Sequence, residues 1–419
     1  MRICIVARVS QAHSIGGMQD HTTDLARGLA QQDHAVEVIT SRHPEGLRED
    51  SSGGVRWRYV DAPPGDFTAE AWLRDSYLEF ARAHAEQSFD VVHSEGSSAL
   101  ELVRRGCHLA TPLVVMFHGN FVGLVKASFR RQAAARRPVP VLKELRGIVW
   151  LARRHFSYGN WYRFGACEAI VPSRQQLVDT CRSHRLDRSR VHVVPNGVDT
   201  SLFHPRPREE ARRLVGLDGG FLFACVGRLN REKGTHHAIR ALALLDRDAP
   251  DARLAVVGDG EERRALEKLA QELGLGGRVL FVGMQPHDRV PLYLAAADAF
   301  LFPTERDEAA PLVLPQAMAC GLPVLASERG SIAEVVDRPG DNGMLVPAAD
   351  VPKLADGMRD LHRDEGLRRR LARGARVRVE EEYTLERMVS RTLDVYETAV
   401  GRARGNRPPP AIPLPSAAG

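Results

Sequence analysis

Short apolar runs bounded by Gly, Pro or Asn alternate along this chain with longer amphipathic stretches, and that rhythm restricts the fold more than any single motif. Runs without a polar face suit strands buried on both sides of a parallel sheet, and the amphipathic stretches suit the helices that cover it. In the first half, strands are predicted at Arg2–Val9, Ala35–Thr40, Asp90–His93, Leu113–His118, Ala169–Pro172 and Val191–Pro195. In the second half they are predicted at Phe221–Val226, Leu254–Val257, Val279–Val282, Ala299–Phe302, Val324–Ala326 and Met344–Val346. Each set makes one doubly wound α/β sheet.

Length agrees with two such domains, because 419 residues exceed one ordinary core. Ser201-Leu202-Phe203-His204-Pro205-Arg206-Pro207 interrupts any regular element, which places the boundary at Asp199–Pro207. The expected partition is 1–200, 201–385, a C-terminal helix at 386–400 packing back on the first domain, and a disordered tail at 401–419. That tail is rich in Pro, Gly and Ala and has no buried pattern.

With 43% apolar and 26% charged residues, disorder as the main state is excluded. The 58 basic residues exceed the acidic ones by only 5, too little for a nucleic-acid protein, and no nucleic-acid partner is expected. Only Lys126, Lys143, Lys233, Lys268 and Lys353 are lysines, so a lysine kept at a strand mouth carries weight. The six cysteines are scattered without a C-x-x-C, which implies a reduced compartment and no structural zinc. Met1–Ala7 reads as a strand rather than a signal peptide, and no apolar run is long enough to span a membrane. A cytoplasmic location is expected.

Ligands of open α/β sheets bind beyond the carboxyl ends of strands, where loops meet helix N-termini, and two such domains leave a cleft between them. Gly16-Gly17 follows the first strand and opens a helix whose Met18, Leu25, Ala26 and Leu29 share a face. The paired glycines let backbone N–H groups approach a phosphate, or form a plain tight turn. Gly258-Asp259-Gly260 lacks the third glycine of a dinucleotide fingerprint, and Lys233-Gly234-Thr235 has the wrong order for a Walker A loop. What remains after Gly227 is Arg228 and Lys233, five residues apart at a strand mouth, two cations suited to a diphosphate.

Glu308, in the acidic cluster after Ala299–Phe302, can accept hydrogen bonds from sugar hydroxyls, and Gln316, one helical turn in, can bond a ribose. His118 stands at a strand terminus before Gly119, facing the predicted cleft. The other histidines, including His236-His237, show no ligand constellation and read as surface or packing residues. Asp246-Arg247-Asp248 lies on the side away from the strand carboxyl ends, and no metal site is expected.

Gly16-Gly17, Phe117-His118-Gly119, Val171-Pro172-Ser173, Val194-Pro195-Asn196-Gly197-Val198-Asp199, Gly227-Arg228 with Lys233-Gly234, Val257-Gly258-Asp259-Gly260, Ala297-Asp298 with Phe302-Pro303-Thr304, and Ala317–Val324 occur in one order over nearly all of residues 1–350. In that order the chain resembles the retaining glycosyltransferases of family GT4, with the GT-B fold of two Rossmann-like domains facing each other across a deep cleft. The resemblance implies that Gly16, Gly17, Arg228 and Lys233 hold the diphosphate of a UDP- or GDP-linked sugar. It implies that His118 touches the donor sugar near the anomeric carbon and that Glu308 binds the sugar hydroxyls. Asn196, Gly227, Leu312, Val313 and Gln316 complete the nucleotide-sugar site on the same ground.

Front-face substitution with retention is the implied mechanism. The leaving diphosphate helps take the acceptor's proton, the two cations stabilise it, and neither a metal nor another cofactor is required. Two positions depart from the family. The second glutamate of its E-x7-E motif is Gln316, and the Phe-Gly after the first glutamate is Ala310-Pro311, which removes a backbone donor.

Between Lys126 and Arg154 stand nine basic residues and one acid, Glu144, interleaved with Leu142, Leu145, Ile148, Val149, Trp150 and Leu151. The segment reads either as a peripheral contact with an anionic membrane or as a solvated helix on its own domain. With the resemblance, it points to a lipid-linked or polysaccharide acceptor of the cell envelope. The rival readings are a GT-B nucleotide-sugar epimerase, a sugar phosphorylase, and a nucleotide-sugar-binding protein without transferase activity.

Overall fold

Arg2-Ile3-Cys4-Ile5-Val6 is buried at every residue, as a strand covered on both faces requires. This first strand and its neighbours belong to a computed structural model that describes residues 1–14, 16–64, 70–119, 167–184, 186–217, 219–245, 248–336 and 340–405. The chain divides into two compact units, Met1–Pro195 together with the helix Leu385–Gly405, and Asn196–Thr384.

The first unit carries β1 (Arg2–Val6), β2 (Ala35–Thr40), β3 (Glu49–Ser52), β4 (Val55–Tyr59), β5 (Val91–Glu95), β6 (Leu113–Met116), β7 (Glu168–Val171) and β8 (Val191–Val193). They form one sheet in the order β3-β4-β2-β1-β5-β6-β7-β8, parallel except for the β3–β4 pair. Helix α1 (Gly17–Gln31) lays Leu25, Ala26 and Leu29 on one face of the sheet, and α2 (Glu70–Glu86) lays Trp72, Tyr77 and Phe80 on the other. The β3–β4 hairpin is an addition to the strands expected from the sequence. Its first strand, Glu49-Asp50-Ser51-Ser52, has no apolar residue, so hydrophobic patterning misses it. The signal lies instead in Gly53 and Gly54, both at positive φ, followed by the alternating Val55, Trp57 and Tyr59.

The second unit carries β9 (Leu222–Val226), β10 (Arg253–Val257), β11 (Val279–Gly283), β12 (Ala299–Phe302), β13 (Val324–Ser327) and β14 (Met344–Val346), all parallel, in the order β11-β10-β9-β12-β13-β14. The order reverses beside β9, between β10 and β12, and the loops after β9 and β12 therefore emerge side by side.

The two units meet along the chain at Pro195/Asn196 and Thr384/Leu385. Val198 donates its N–H to the Tyr383 carbonyl and bridges Thr384, which ties the segment after Asn196 to the second unit. The last helix runs Leu385–Gly405, so residues 401–405 of the expected tail are helical, and residues 406–419 lie outside the described residues. It buries Met388, Val389, Val395, Tyr396 and Ala399 among first-unit residues, and Arg402 Nη1 donates to Glu168 Oε1 at 2.6 Å. A Cβ on Gly28 of α1 would lie 2.6 Å from Val389 Cγ2; the missing side chain is what lets the two helices touch.

Candidate functional site

In the second unit the β9 strand ends at Val226 and the chain turns through Gly227, at φ 144°, to Arg228 and the buried Leu229. Leu229 N–H donates to the Asp259 carbonyl, and Glu262 N–H to the Leu229 carbonyl. A Cβ on Gly258 would sit 2.0 Å from the Gly227 carbonyl oxygen, and one on Gly260 2.3 Å from that of Leu229. The Gly258-Asp259-Gly260 sequence thus serves close packing of two loops. Asn230 Oδ1 accepts from Lys233 N at 3.0 Å and caps the single turn Arg231–Lys233.

Gly234 follows at φ 71°, and a Cβ there would fall 1.8 Å from the Pro303 carbonyl oxygen. The β9 and β12 loops therefore touch at this glycine. Thr304 Oγ1 donates to the Glu232 carbonyl at 3.0 Å, and Glu305 N–H donates to the same carbonyl at 2.8 Å. The outcome is that Lys233 Nζ donates to Glu308 Oε1 at 2.8 Å, with Thr304 Oγ1 3.2 Å from the same oxygen, so that its single proton serves either Glu308 or the Glu232 carbonyl. Glu308 is buried and Lys233 half-buried, with its ammonium 5.4 Å from the Phe302 ring centroid. Arg228 is exposed and has no ion-pair partner among the described residues. Gly227, Arg228, Lys233, Phe302 and Pro303 line one small pocket.

Glu308 is held from behind. Ser331 N–H donates to its carbonyl, and Gly330 packs so closely that a Cβ would meet the Glu308 backbone at 2.4–2.5 Å. Asn196 is buried and donates through Nδ2 to the Ala310 carbonyl at 3.3 Å, fixing the loop that carries Ala310-Pro311. The helix Val313–Ala319 then opens with the Leu312 and Val313 amides, which lack intrahelical acceptors, and buries Gln316 one turn in.

In the first unit Gly16 and Gly17 lead into α1; Gly16 is extended at φ 168°, a conformation open to any residue, and its carbonyl accepts from Asp20 N–H. His118 lies just past β6 and is only partly exposed. Its Nε2 hydrogen-bonds Glu95 Oε2, at the end of β5. Two further imidazoles face that carboxylate, with Nε2 of His93 3.5 Å and Nε2 of His21 3.8 Å from Oε1. Burial favours neutral Glu95, yet the charge and hydrogen bond of His118, then His93 and His21, hold its pKa well below the usual carboxylate range. Burial pushes His21 down to about 3, so it is neutral.

Expectation and structure differ over the histidines. His21, Glu95 and His118 bring ligand-type atoms within 4.8 Å of one another, and so do His236, His237 and Glu305. His236 and His237 are buried at the start of the helix Thr235–Leu244, and His237 Nε2 lies 2.9 Å from Glu305 Oε1. Neither group is visible along the chain, because each joins loops of separate βα units. Asp248 is engaged by Arg359 and Arg363; Asp246 and Arg247, like the basic segment 126–154, lie outside the described residues. All six cysteines are free thiols, and no described helix is long and apolar enough to cross a membrane.

The family model for glycosyl transferases group 1 matches residues 207–378, and that for Glycosyltransferase Family 4 matches residues 15–202. The chain is 29% identical over 418 residues to 2-deoxystreptamine N-acetyl-D-glucosaminyltransferase of Streptomyces fradiae, covering 96% of this chain and 95% of that protein. It is 31% identical over 414 residues to D-inositol 3-phosphate glycosyltransferase of Xylanimonas cellulosilytica, covering 92% and 93%. The crystal structure of Anabaena HepE in complex with UDP and glucose shares the fold at a TM-score of 0.70 and 20% identity, over 95% of this chain and all of that one. With both units matched, the chain belongs to the glycosyl transferases group 1 family and is a glycosyltransferase of the GT-B fold.

Proposed function

We propose that this protein transfers a hexosyl unit, with retention and without a metal, from a UDP- or GDP-linked sugar to an alcohol acceptor. The observation that carries the reading is the pairing of Lys233 with Glu308 beside an exposed Arg228 at the mouth of one pocket. Arg228 and Lys233 take the diphosphate, whose charge grows as the glycosidic bond breaks, and two fixed cations stabilise that growth. The Gly227 backbone lets phosphate oxygens approach, and the Leu312 and Val313 amides supply further donors. Glu308 accepts from sugar hydroxyls and Gln316 bonds the ribose. From the first unit, Gly16, Gly17 and His118 act on the diphosphate and the sugar in the same scheme.

The acceptor proposed is a lipid-linked or polysaccharide glycan of the cell envelope. Its membrane contact rests on the sequence of residues 126–154 alone; no binding to anionic liposomes would remove it. A second reading is favoured by the two relatives of about 30% identity, named for 2-deoxystreptamine and inositol 3-phosphate. On that reading the acceptor is a small cyclic polyol.

The deciding measurement is thermal unfolding with UDP, GDP, ADP and their common sugar conjugates in the presence of EDTA, followed by product analysis with each acceptor class. A donor at a hundredfold excess over its dissociation constant adds about 2.7 kcal/mol of stability. One nucleotide should stand out; no shift with any at millimolar concentration would remove the diphosphate roles of Arg228 and Lys233.

A further inference from the structure

Glu95 is a buried carboxylate surrounded by imidazoles, in a unit whose sequence motifs include His118 but not Glu95. Its Oε2 accepts from His118 Nε2, and its Oε1 faces His93 Nε2 at 3.5 Å. On the far side of His93, Nδ1 lies 2.8 Å from the hydroxyl of Tyr396, which comes from the helix Leu385–Gly405. Tyr396 is fully buried, and burial followed by the charge of Glu95 raises its phenol well above the ordinary value; it remains a donor.

With the imidazoles neutral, one arrangement of protons suits an ionised Glu95, although His93 Nε2 and Glu95 Oε1 face each other at 3.5 Å without a hydrogen bond. The Tyr396 O–H donates to His93 Nδ1, which leaves the His93 proton on Nε2, toward Glu95. The ionised Glu95 can only accept, so His118 must carry its proton on Nε2. With the imidazole neutral, Nδ1 of His118 is then a lone pair. His21, neutral and with neither nitrogen hydrogen-bonded, closes the side of the group with its ring edge-on to His118 at 5.0 Å between centroids.

As placed, His118 and Glu95 are joined by a hydrogen bond rather than set as two ligands of one metal ion. Ligand atoms of one zinc ion stand about 3 Å or more apart, whereas His118 Nε2 and Glu95 Oε2 are in direct hydrogen-bond contact.

We propose that Glu95 is a positioning residue that fixes His118 as the Nε2–H tautomer, so that Nδ1 accepts a hydrogen bond from a substrate hydroxyl, and that Tyr396 holds His93 in place against the other oxygen of the same carboxylate. A carboxylate behind an imidazole sets both its tautomer and its ring orientation. The helix Leu385–Gly405 thereby does more than cover the sheet, because its Tyr396 hydroxyl hydrogen-bonds His93, the imidazole that faces Glu95 Oε1. The inference rests on the reading of His118 as a substrate contact.

The test separates tautomer from activity. Long-range proton–nitrogen spectra of the full chain labelled in its histidines, with the His118 signals assigned from His118→Gln, should show Nε2–H for His118. Glu95→Gln should yield a mixture of tautomers and lower kcat on the order of a hundredfold, with a much smaller change in donor KM. Tyr396→Phe, which removes one hydroxyl, should shift the His93 signals and lower kcat less. Wild-type His118 protonated on Nδ1, or a Glu95→Gln protein with unchanged tautomer and kcat, overturns the proposal. Absence of any transfer by the wild type would sink the functional reading instead, and the spectra would still decide the tautomer.

Discussion

Lys233 and Glu308 neutralise one another across 2.8 Å, so the cation assigned to the diphosphate and the carboxylate assigned to the sugar hydroxyls form one unit. Arg228, five residues away, stands exposed. The two cations should therefore respond differently to removal. Arg228→Ala leaves stability unchanged and weakens donor binding by about 1.5–3 kcal/mol, roughly ten- to a hundredfold. Lys233→Ala weakens donor binding comparably and also lowers folding stability by about 1–3 kcal/mol, because buried Glu308 keeps only Thr304 Oγ1. Calorimetric titration with donor and urea unfolding of both variants check the contrast.

Gly234 joins the loops that make this pair possible. At φ 71°, with the Pro303 carbonyl oxygen 1.8 Å from where a Cβ would sit, Gly234→Ala has no room and no favourable backbone. It should lose about 3 kcal/mol or more and with it donor binding. Gly401→Ala is the matched control, since that helical position has open space and alanine gains about 0.5–1 kcal/mol there. Thermal melts that rank the two alike would refute the close-contact argument.

Stability should fall on the acid side well before the carboxylates titrate. Burial lowers His21 in one unit to about 3 against the opposing charge of Glu95, and burial together with the nearby His237, Arg231 and Arg240 lowers His236 in the other to about 3, from an ordinary 6.5. Between those values the unfolded chain binds protons that the folded chain refuses, so stability is complete above about 6.5 and is lost as pH drops toward 3. His21→Leu removes one such group without breaking a hydrogen bond, since neither nitrogen is hydrogen-bonded. Melting temperatures from pH 7 to 4 should decline less steeply for this variant than for the wild type; equal slopes would count against a neutral buried His21.

Arg402 anchors the end of the last helix on Glu168, whose side chain is almost fully buried. Burial raises the Glu168 pKa, but hydrogen bonds from His192 and Arg402 outweigh it and hold it below the ordinary 4.5. A depressed carboxylate contributes stability above its unfolded pKa and loses it as pH falls through the folded value. Arg402→Ala should cost about 1–3 kcal/mol at neutral pH. The difference from wild type should vanish below the carboxylate range, as denaturation at two pH values would show.

Much of the second unit was legible because its strands are continuous apolar runs: every one of β9 to β14 lies within a residue of its expected span. Arg228, Lys233 and Glu308 were legible for a related reason, since strand ends in a parallel sheet are where charged residues meet ligands. Glu95 was not, because Val91-Val92-His93-Ser94-Glu95 reads as a strand running into polar residues and nothing along the chain says that three imidazoles converge on its last carboxylate.

The amino-acid sequence by itself determined the two-sheet α/β architecture, the βα loops that hold the chemistry, and the residue types at their tips, because hydrophobic period and loop position are local properties. Tertiary structure decided which of those residues pair. Lys233 meets Glu308 only because Gly234 admits the Pro303 carbonyl, and His118 meets Glu95 only because β5 and β6 are neighbours in the sheet. It also decided where the last helix goes, since Tyr396 and His93 are 303 residues apart and a hydrogen bond over that separation is set by packing, which no local pattern encodes.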